Sequence, residues 1–286
     1  MSEKLHVREP SELLPFLSAQ LHGWARSKIK QRLQTGCISV NGVSTTQHNY
    51  ALHVGDLVEV GATAKAANPA PSQLEILYSD RDIIAINKPA GLLSVGTSKE
   101  TQQHALAILR NQLSRRSQEV KLWPVNRIDR DTSGVLLFAT SREMREAVMD
   151  KWDQAEKNYL AIVVGIPSPA EGMIDQPLRA DEVEYRMHVG AHPDAKPAIT
   201  HYKTERTNNG RALLQVQIET GRQHQIRAHL SWLGYPVVGD QRYGTAGTRM
   251  GLHALRLKII HPKNGKTLLF ETPAPADFLA LMNQKR

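Results

Sequence analysis

Two kinds of periodicity alternate along the chain. Ile29 and Leu33, four apart, give one apolar face to a stretch running from Ala25 to Gln34, and Glu12 to Leu21 has a similar pattern. Both are expected to be helices, the second closed by Gly36. Strand patterns follow. Cys37-Ile38-Ser39-Val40 runs into Asn41-Gly42, a tight-turn signal, and Asp56-Leu57-Val58-Glu59-Val60 reads as a further strand. Later, Leu74 to Tyr78 and Ile83 to Ile86 read as strands around an Asp80-Arg81-Asp82 turn, Ala105 to Leu113 as a helix and Val135 to Ala139 as a buried strand. Ser141 is placed to N-cap a helix running from Arg142 toward Trp152, and Tyr159 to Val164 returns to β structure. Leu214, Val216 and Ile218 alternate with Gln215, Gln217 and Glu219, as a strand with one wet face requires. Gln223 to Leu233 is expected to be a helix that Gly234 closes.

The pattern breaks once. Residues 62–73 are rich in Ala and Pro and have no apolar face, so they are read as a linker between a small domain, 1–61, and a larger one, 74–286. No repeat of solenoid period is present. Short alternating strands with inserted helices predict an α+β fold, a small α+β domain followed by a larger domain with a mixed, mainly antiparallel sheet.

Composition sharpens this. With 286 residues, 41% of them hydrophobic, the chain can bury a sizeable core and a satellite domain. A formal net charge of +8 favours an anionic partner, nucleic acid above all, although ordinary solubility explains such a charge too. The single cysteine, Cys37, excludes an intramolecular disulfide and a cysteine-built zinc site and fits a reducing, cytoplasmic setting. No apolar run has the length a bilayer needs, and the charged N-terminus lacks the apolar core of a signal peptide.

Arg26, Lys28, Lys30 and Arg32 make one surface of the second helix cationic. Alone, that is as well explained by a solvated helix face. The order of basic helix, Gly-Cys-Ile-Ser-Val-Asn-Gly and Val-Gly-Asp-Leu-Val-Glu-Val, however, resembles the αL RNA-binding domain of the ribosomal-protein S-four type over residues 12 to 61. The resemblance implies that Arg26, Lys28 and Lys30 hold RNA phosphates, with affinity that falls as salt rises.

The densest chemistry is Asn126-Arg127-Ile128-Asp129-Arg130-Asp131-Thr132-Ser133-Gly134, a polar stretch directly before a buried strand. By composition it is a turn with surface ion pairs. It also resembles the catalytic motif of the RluA-type RNA pseudouridine synthases, His-Arg-Leu-Asp, two variable residues, then Thr-Ser-Gly. Asn126 stands where that motif has histidine, and Ile128 where it has leucine. Further segments resemble the same family in the same order: Asn87-Lys88-Pro89-Ala90-Gly91, Lys157-Asn158-Tyr159-Leu160-Ala161, Glu219 to His229 with Val238-Gly239-Asp240 and Tyr243-Gly244, and Leu252-His253-Ala254. Together they span about residues 74 to 276.

The resemblance implies an isomerase of uridine in structured RNA that needs no cofactor. Formation of pseudouridine breaks the bond from uracil N1 to ribose C1′, turns the base, joins C5 to C1′ and removes the C5 proton, with no redox change. An ionised carboxylate beside the ribose can bond to C1′ or take a proton from C2′. On the family pattern that carboxylate is Asp129, the basic residue paired with it is Arg222, and Tyr159 offers a face on which the extruded base stacks. Arg127 is assigned to helping extrude the uridine, and Lys88 to phosphate, with a purely structural turn an equal reading of Lys88. Family members carrying such an appended domain favour large-subunit ribosomal RNA as the substrate, with transfer RNA open, and a monomer is expected.

His188 and His192 are four apart, and His224, His229, His253 and His261 fall late in the chain, but no HExxH arrangement accompanies them, so no metal site is expected. His224, His253 and Asp240 are read as scaffold. Two other classes stay open: a non-catalytic RNA-binding or ribosome-assembly factor on the same fold, and a metal-dependent nuclease, for which no cluster of acidic ligands is evident.

Overall fold

The computed structural model describes residues 3–34, 37–45, 48–61, 71–97, 100–114, 120–181 and 184–284. The chain divides into two compact units between Pro69 and Ala70. Gly36 and most of the expected linker, residues 62–70, lie outside the described residues.

The first unit is built from β1 (Glu3–His6), β2 (Ser11–Glu12), α1 (Leu13–Gln20), α2 (Arg26–Gln34), β3 (Ile38–Val40), β4 (Val43–Ser44), β5 (Ala51–Leu52) and β6 (Leu57–Val60). Its sheet has the order β1-β6-β3-β4. Asn41 and Gly42 both have positive φ, +50° and +82°, as the tight turn joining β3 to β4 requires. Leu13 and Leu17 of α1 and Ile29 and Leu33 of α2 pack onto Ile38, Val40, Val58 and Val60. β1 was not foreseen: it takes its place through antiparallel pairing with β6, an interaction remote in sequence.

The second unit contains β7 (Glu75–Ser79), β8 (Ile83–Lys88), α3 (Ala105–Leu113), β9 (Trp123–Pro124), β10 (Ser133–Ala139), α4 (Arg142–Met149), β11 (Glu156–Val164), β12 (Glu171–Asp175), β13 (Leu178–Asp181), β14 (Arg186–Val189), β15 (Ile199–Asn208), β16 (Arg211–Ile218), α5 (Gln225–Trp232), β17 (Leu252–Ile260), β18 (Thr267–Glu271) and α6 (Ala276–Ala280). The sheet runs β12-β15-β16-β11-β17-β10-β8-β7, with β18 beside β17 and β9 beside β10. Among the described residues, every strand pairing in this sheet is antiparallel except β10 with β17. The architecture is therefore the mixed, mainly antiparallel α+β sheet that the pattern predicts.

All seven residues of β10 are buried. Val135, Leu137 and Ala139 pack with Ile83 and Ala85 on one face, and Leu136 and Phe138 with Ile84, Ile86 and Leu109 of α3 on the other. A strand covered on both sides is fixed in register, because a slip by one residue would exchange its two cores. At its start, Gly134 has φ +116°, and a Cβ there would lie 2.1 Å from the Ala254 carbonyl oxygen, so the close β10–β17 approach depends on glycine.

Two helix ends differ from expectation. The helix begun at Arg142 is capped by Ser141 Oγ, which accepts from Met144 N at 3.0 Å, but it ends at Met149, and Trp152–Gln154 forms a separate 3-10 turn. The later helix starts at Gln225 and not Gln223, because His224 stands in the left-handed region at φ +51°. Among the described residues no helix is long and apolar enough to cross a membrane.

Candidate active site

Asp129 sits on the loop that enters β10, and that loop is tied at several points. Ser94 Oγ donates to Ile128 O at 2.7 Å and accepts from Ile128 N at 3.1 Å. Lys88, fully buried at the end of β8, donates from Nζ to Pro89 O, Leu92 O and Arg130 O at 2.9, 2.7 and 3.0 Å. Arg130 Nε reaches back to Gly91 O at 3.0 Å. Below the loop, Arg249 Nη2 donates to Ser133 Oγ, whose own hydrogen goes to His253 Nδ1, each at 2.8 Å. His253 Nε2 is thereby the protonated nitrogen and donates to Thr272 O at 3.0 Å.

The carboxylate of Asp129 keeps about a quarter of its surface in solvent, its side chain being 25% exposed. Arg227, in the first turn of α5, donates from Nη1 to Asp129 Oδ2 at 2.8 Å. Its Nε and Nη2 hold Asp240 at 2.6 and 2.9 Å, and Asp240 also accepts from the backbone N–H of Arg242 and of Tyr243. Burial opposes the charged forms, but the two carboxylates raise the Arg227 pKa overall, and Arg227 with the backbone donors lowers that of Asp240. The result is a carboxylate, a guanidinium and a second carboxylate in a row, with the inner carboxylate wholly buried.

Tyr159, on β11, is half-buried against the cluster of Ala161, Val216 and Ile226. Between Asn158 and Leu160 the pairing of β11 with β17 shifts register, and such irregularities re-aim side chains. Burial and the charge of Asp129 push the Tyr159 hydroxyl pKa up, so the phenol stays protonated. His224 closes another side, with Nε2 4.0 Å from Asp129 Oδ1. Burial, with Arg227 and Arg242, pushes its pKa down to about 4 despite Asp129. The turn before it is fixed by Gln225, which accepts from Thr220 Oγ1 and Arg222 N and donates to Ile199 O and Thr200 Oγ1.

Comparison with known proteins decides what this arrangement belongs to. The family described as RNA pseudouridylate synthase matches residues 82–232, which include Asp129, Tyr159 and Arg227. The chain belongs to this family, in its RluA-type branch. It is an RNA pseudouridine synthase, an isomerase. An uncharacterized RNA pseudouridine synthase of Bacillus subtilis, YlyB, is 32% identical over 95% of this chain and 93% of its own. The ribosomal large subunit pseudouridine synthase D of Nitrosomonas europaea is 31% identical over 94% of this chain and 83% of its own. Among solved structures, human RNA pseudouridylate synthase domain containing 4 superposes with a TM-score of 0.59 at 27% identity, covering 72% of this chain and 90% of that one.

In this synthase the sequence-named residues fall into two groups. Asp129 and Tyr159 are brought to one place. Arg222 is not the partner of Asp129: it is exposed, its Nε donates to Pro197 O at 3.0 Å, and the pairing belongs to Arg227. The difference arises because the left-handed turn at His224 separates Arg222 from the helix that points Arg227 inward. Lys88 is no phosphate ligand either, being buried with all three of its N–H donors taken by carbonyls. Burial pushes its pKa down to about 7, partly opposed by Asp131 and Asp129. Arg127 is exposed beside Asp129 in the chain. Asn126, in place of the motif histidine, accepts from Leu137 N at 2.9 Å through Oδ1, a backbone-capping task.

In the first unit Arg26, Lys28 and Lys30 are exposed, and Lys28 Nζ lies 4.1 Å from the ring centroid of Trp24. Among the described residues one group has metal-ligand spacing, Asp181, Glu184 and His188 of the β13–β14 hairpin. His188 Nε2 lies 3.5 and 3.3 Å from the two carboxylates.

The decisive residue that sequence reasoning missed is Arg227. The signal was available: an arginine between Ile226 and Ala228 in an apolar helix needs a buried anion, and Asp240 lay thirteen residues on.

Proposed function

We propose that the chain converts specific uridines of large-subunit ribosomal RNA to pseudouridine, with Asp129 as the carboxylate that acts at the ribose. One observation carries the assignment of Asp129: Arg227 holds Oδ2 at 2.8 Å and leaves Oδ1 without a hydrogen bond among the described residues. A charge-assisted bond of this kind fixes the orientation of the carboxylate. As the N1–C1′ bond breaks, positive character develops on the sugar, and a fixed anion beside it stabilises that charge. Oδ1 either bonds to C1′ or takes the proton from C2′. In both routes Arg227, and not Arg222, balances the charge of Asp129.

The half-buried Tyr159 supplies a flat face for the extruded uracil, and the exposed Arg127 a side chain able to occupy the stack the base has left. Arg26, Lys28 and Lys30 of the first unit suit phosphate contacts. The ribosomal assignment draws support from relatives named for the ribosomal large subunit.

The test is tritium release from RNA carrying 5-tritiated uridine, with wild type and Asp129→Asn on ribosomal and transfer RNA transcripts. Release by wild type from ribosomal RNA alone, and none by the variant with RNA binding retained, is the expected result. Release from transfer RNA only would overturn the substrate, and an active Asp129→Asn the role of Asp129.

A further inference from the structure

The neighbours of His224 fix which of its ring nitrogens carries the proton. Met187 N donates to the Tyr243 hydroxyl oxygen at 2.7 Å, so that oxygen is already an acceptor. The Tyr243 side chain is buried, and its hydroxyl hydrogen needs a partner. His224 Nδ1, at 3.1 Å, is the acceptor that the described residues provide. Nδ1 therefore accepts, and the proton sits on Nε2. Edge-on packing against Tyr243, with ring centroids 5.7 Å apart and planes at 83°, sets the plane of the ring. The backbone of His224 is itself in the left-handed region, an uncommon conformation for a residue with a side chain, held here by these contacts.

The Nε2–H so defined lies 4.0 Å from Asp129 Oδ1, the oxygen that Arg227 leaves open. Of the groups acting on the ring, burial with Arg227 and Arg242 keeps it neutral against the opposing charges of Asp129 and Asp240. With its pKa at about 4, the ring at neutral pH is a fixed single donor, not a titrating acid.

Once Oδ1 meets C1′, a donor at that distance faces the groups bonded to C1′: N1 with its neighbour O2, the ring oxygen O4′, and C2′ with its hydroxyl. Their charges diverge during the reaction. The electron pair of the N1–C1′ bond leaves with the base and spreads over N1, O2 and O4, while O4′ becomes positive. Only on the base does a donor bind the transition state better than the substrate, and O2, which already offers lone pairs before the bond breaks, is the acceptor in place throughout. We propose that His224 is a catalytic residue, donating its Nε2–H to uracil O2 as the N1–C1′ bond breaks. The base departs as a hydrogen-bonded anion, C1′ is taken by Asp129 or C2′ loses its proton to Asp129, and His224 keeps its own proton throughout. This rests on the role given to Asp129 above.

The test compares single-turnover conversion of RNA carrying uridine or 2-thiouridine at the target, by wild type, His224→Phe, Tyr243→Phe and Asp129→Asn, with products read by nucleoside chromatography. Sulfur is a weaker acceptor than oxygen. The thio substitution should therefore slow wild type about tenfold and His224→Phe less than about twofold, so the two losses do not multiply. Tyr243→Phe keeps Nε2 but releases the tautomer, and its thio penalty should fall between. An equal thio penalty in wild type and His224→Phe overturns the proposal, and so does an unimpaired His224→Phe. Should His224→Phe fail to fold, an equal penalty in wild type and Tyr243→Phe has the same force. An active Asp129→Asn would instead remove the carboxylate assignment and leave the thio comparison to be read separately.

Discussion

Asp240 holds Asp129 in place without touching it, through the single guanidinium of Arg227, which spends Nε and Nη2 on the buried carboxylate and Nη1 on the half-open one. Lysine cannot reproduce that fork. Arg227→Lys is expected to lower kcat by about 10²-fold, the scale for losing one preorganised donor, while Arg222→Ala stays within about twofold in kcat. Single-turnover rates on one RNA decide between the two arginines, and the reverse ranking would restore Arg222.

Removing the buried carboxylate takes two of its three charge-assisted bonds from Arg227 and leaves it only the part-exposed Asp129, at a cost of up to about 3–5 kcal/mol. Asp240→Ala should therefore lower the Tm by several degrees as well as the rate. The acid limb offers a second reading. Because the folded pKa of Asp240 lies below its ordinary value of 3.8, its stabilisation is present above that pH and is lost as pH falls through the folded value. Thermal melts between pH 5 and pH 2 should show a shallower acid loss in Asp240→Asn than in wild type. Parallel curves would refute the linkage.

Lys88→Met strands three carbonyls, those of Pro89, Leu92 and Arg130, at about 1–3 kcal/mol for each that stays buried and unpaired. The expected result is a less stable protein with reduced kcat and unchanged salt dependence of RNA binding. A fall in the slope of log affinity against log salt would instead show that Lys88 meets a phosphate.

Gly134→Ala should be among the most damaging small changes, since its methyl would meet the Ala254 carbonyl at 2.1 Å and the backbone there is left-handed. Loss of soluble protein, or a Tm lower by more than ten degrees or so, is expected from thermal melts. A near-native melt would mean that β10 and β17 can part.

Much of this was legible in the residues. The buried strand after the Asp129 loop, the alternation of β16 and the Asn41-Gly42 turn are local patterns, and local patterns survive folding. What was not legible was contact across distance. Arg222 and Arg227 are five apart in one polar-apolar stretch, and the left-handed residue between them, which sends one to solvent and the other to Asp129, has no local signature when it is a histidine. The sequence left Lys88 between a phosphate contact and a structural turn, because one of the carbonyls it binds lies on Arg130, forty-two residues away. The capping of Leu137 N by Asn126 likewise exists only once β10 is paired.

The ties on the Asp129 loop have a consequence for target choice. On the role proposed for Asp129, a carboxylate anchored through Ser94, Lys88 and Arg227 to a strand buried on both faces does not travel to the ribose, so the RNA must do the moving. The energy of unstacking and rotating the nucleotide, a few kcal/mol, falls on the nucleic acid. Selection among uridines then becomes a competition in pliancy: those in loops, bulges and mismatched flanks reach the fixed carboxylate first, whatever letters surround them.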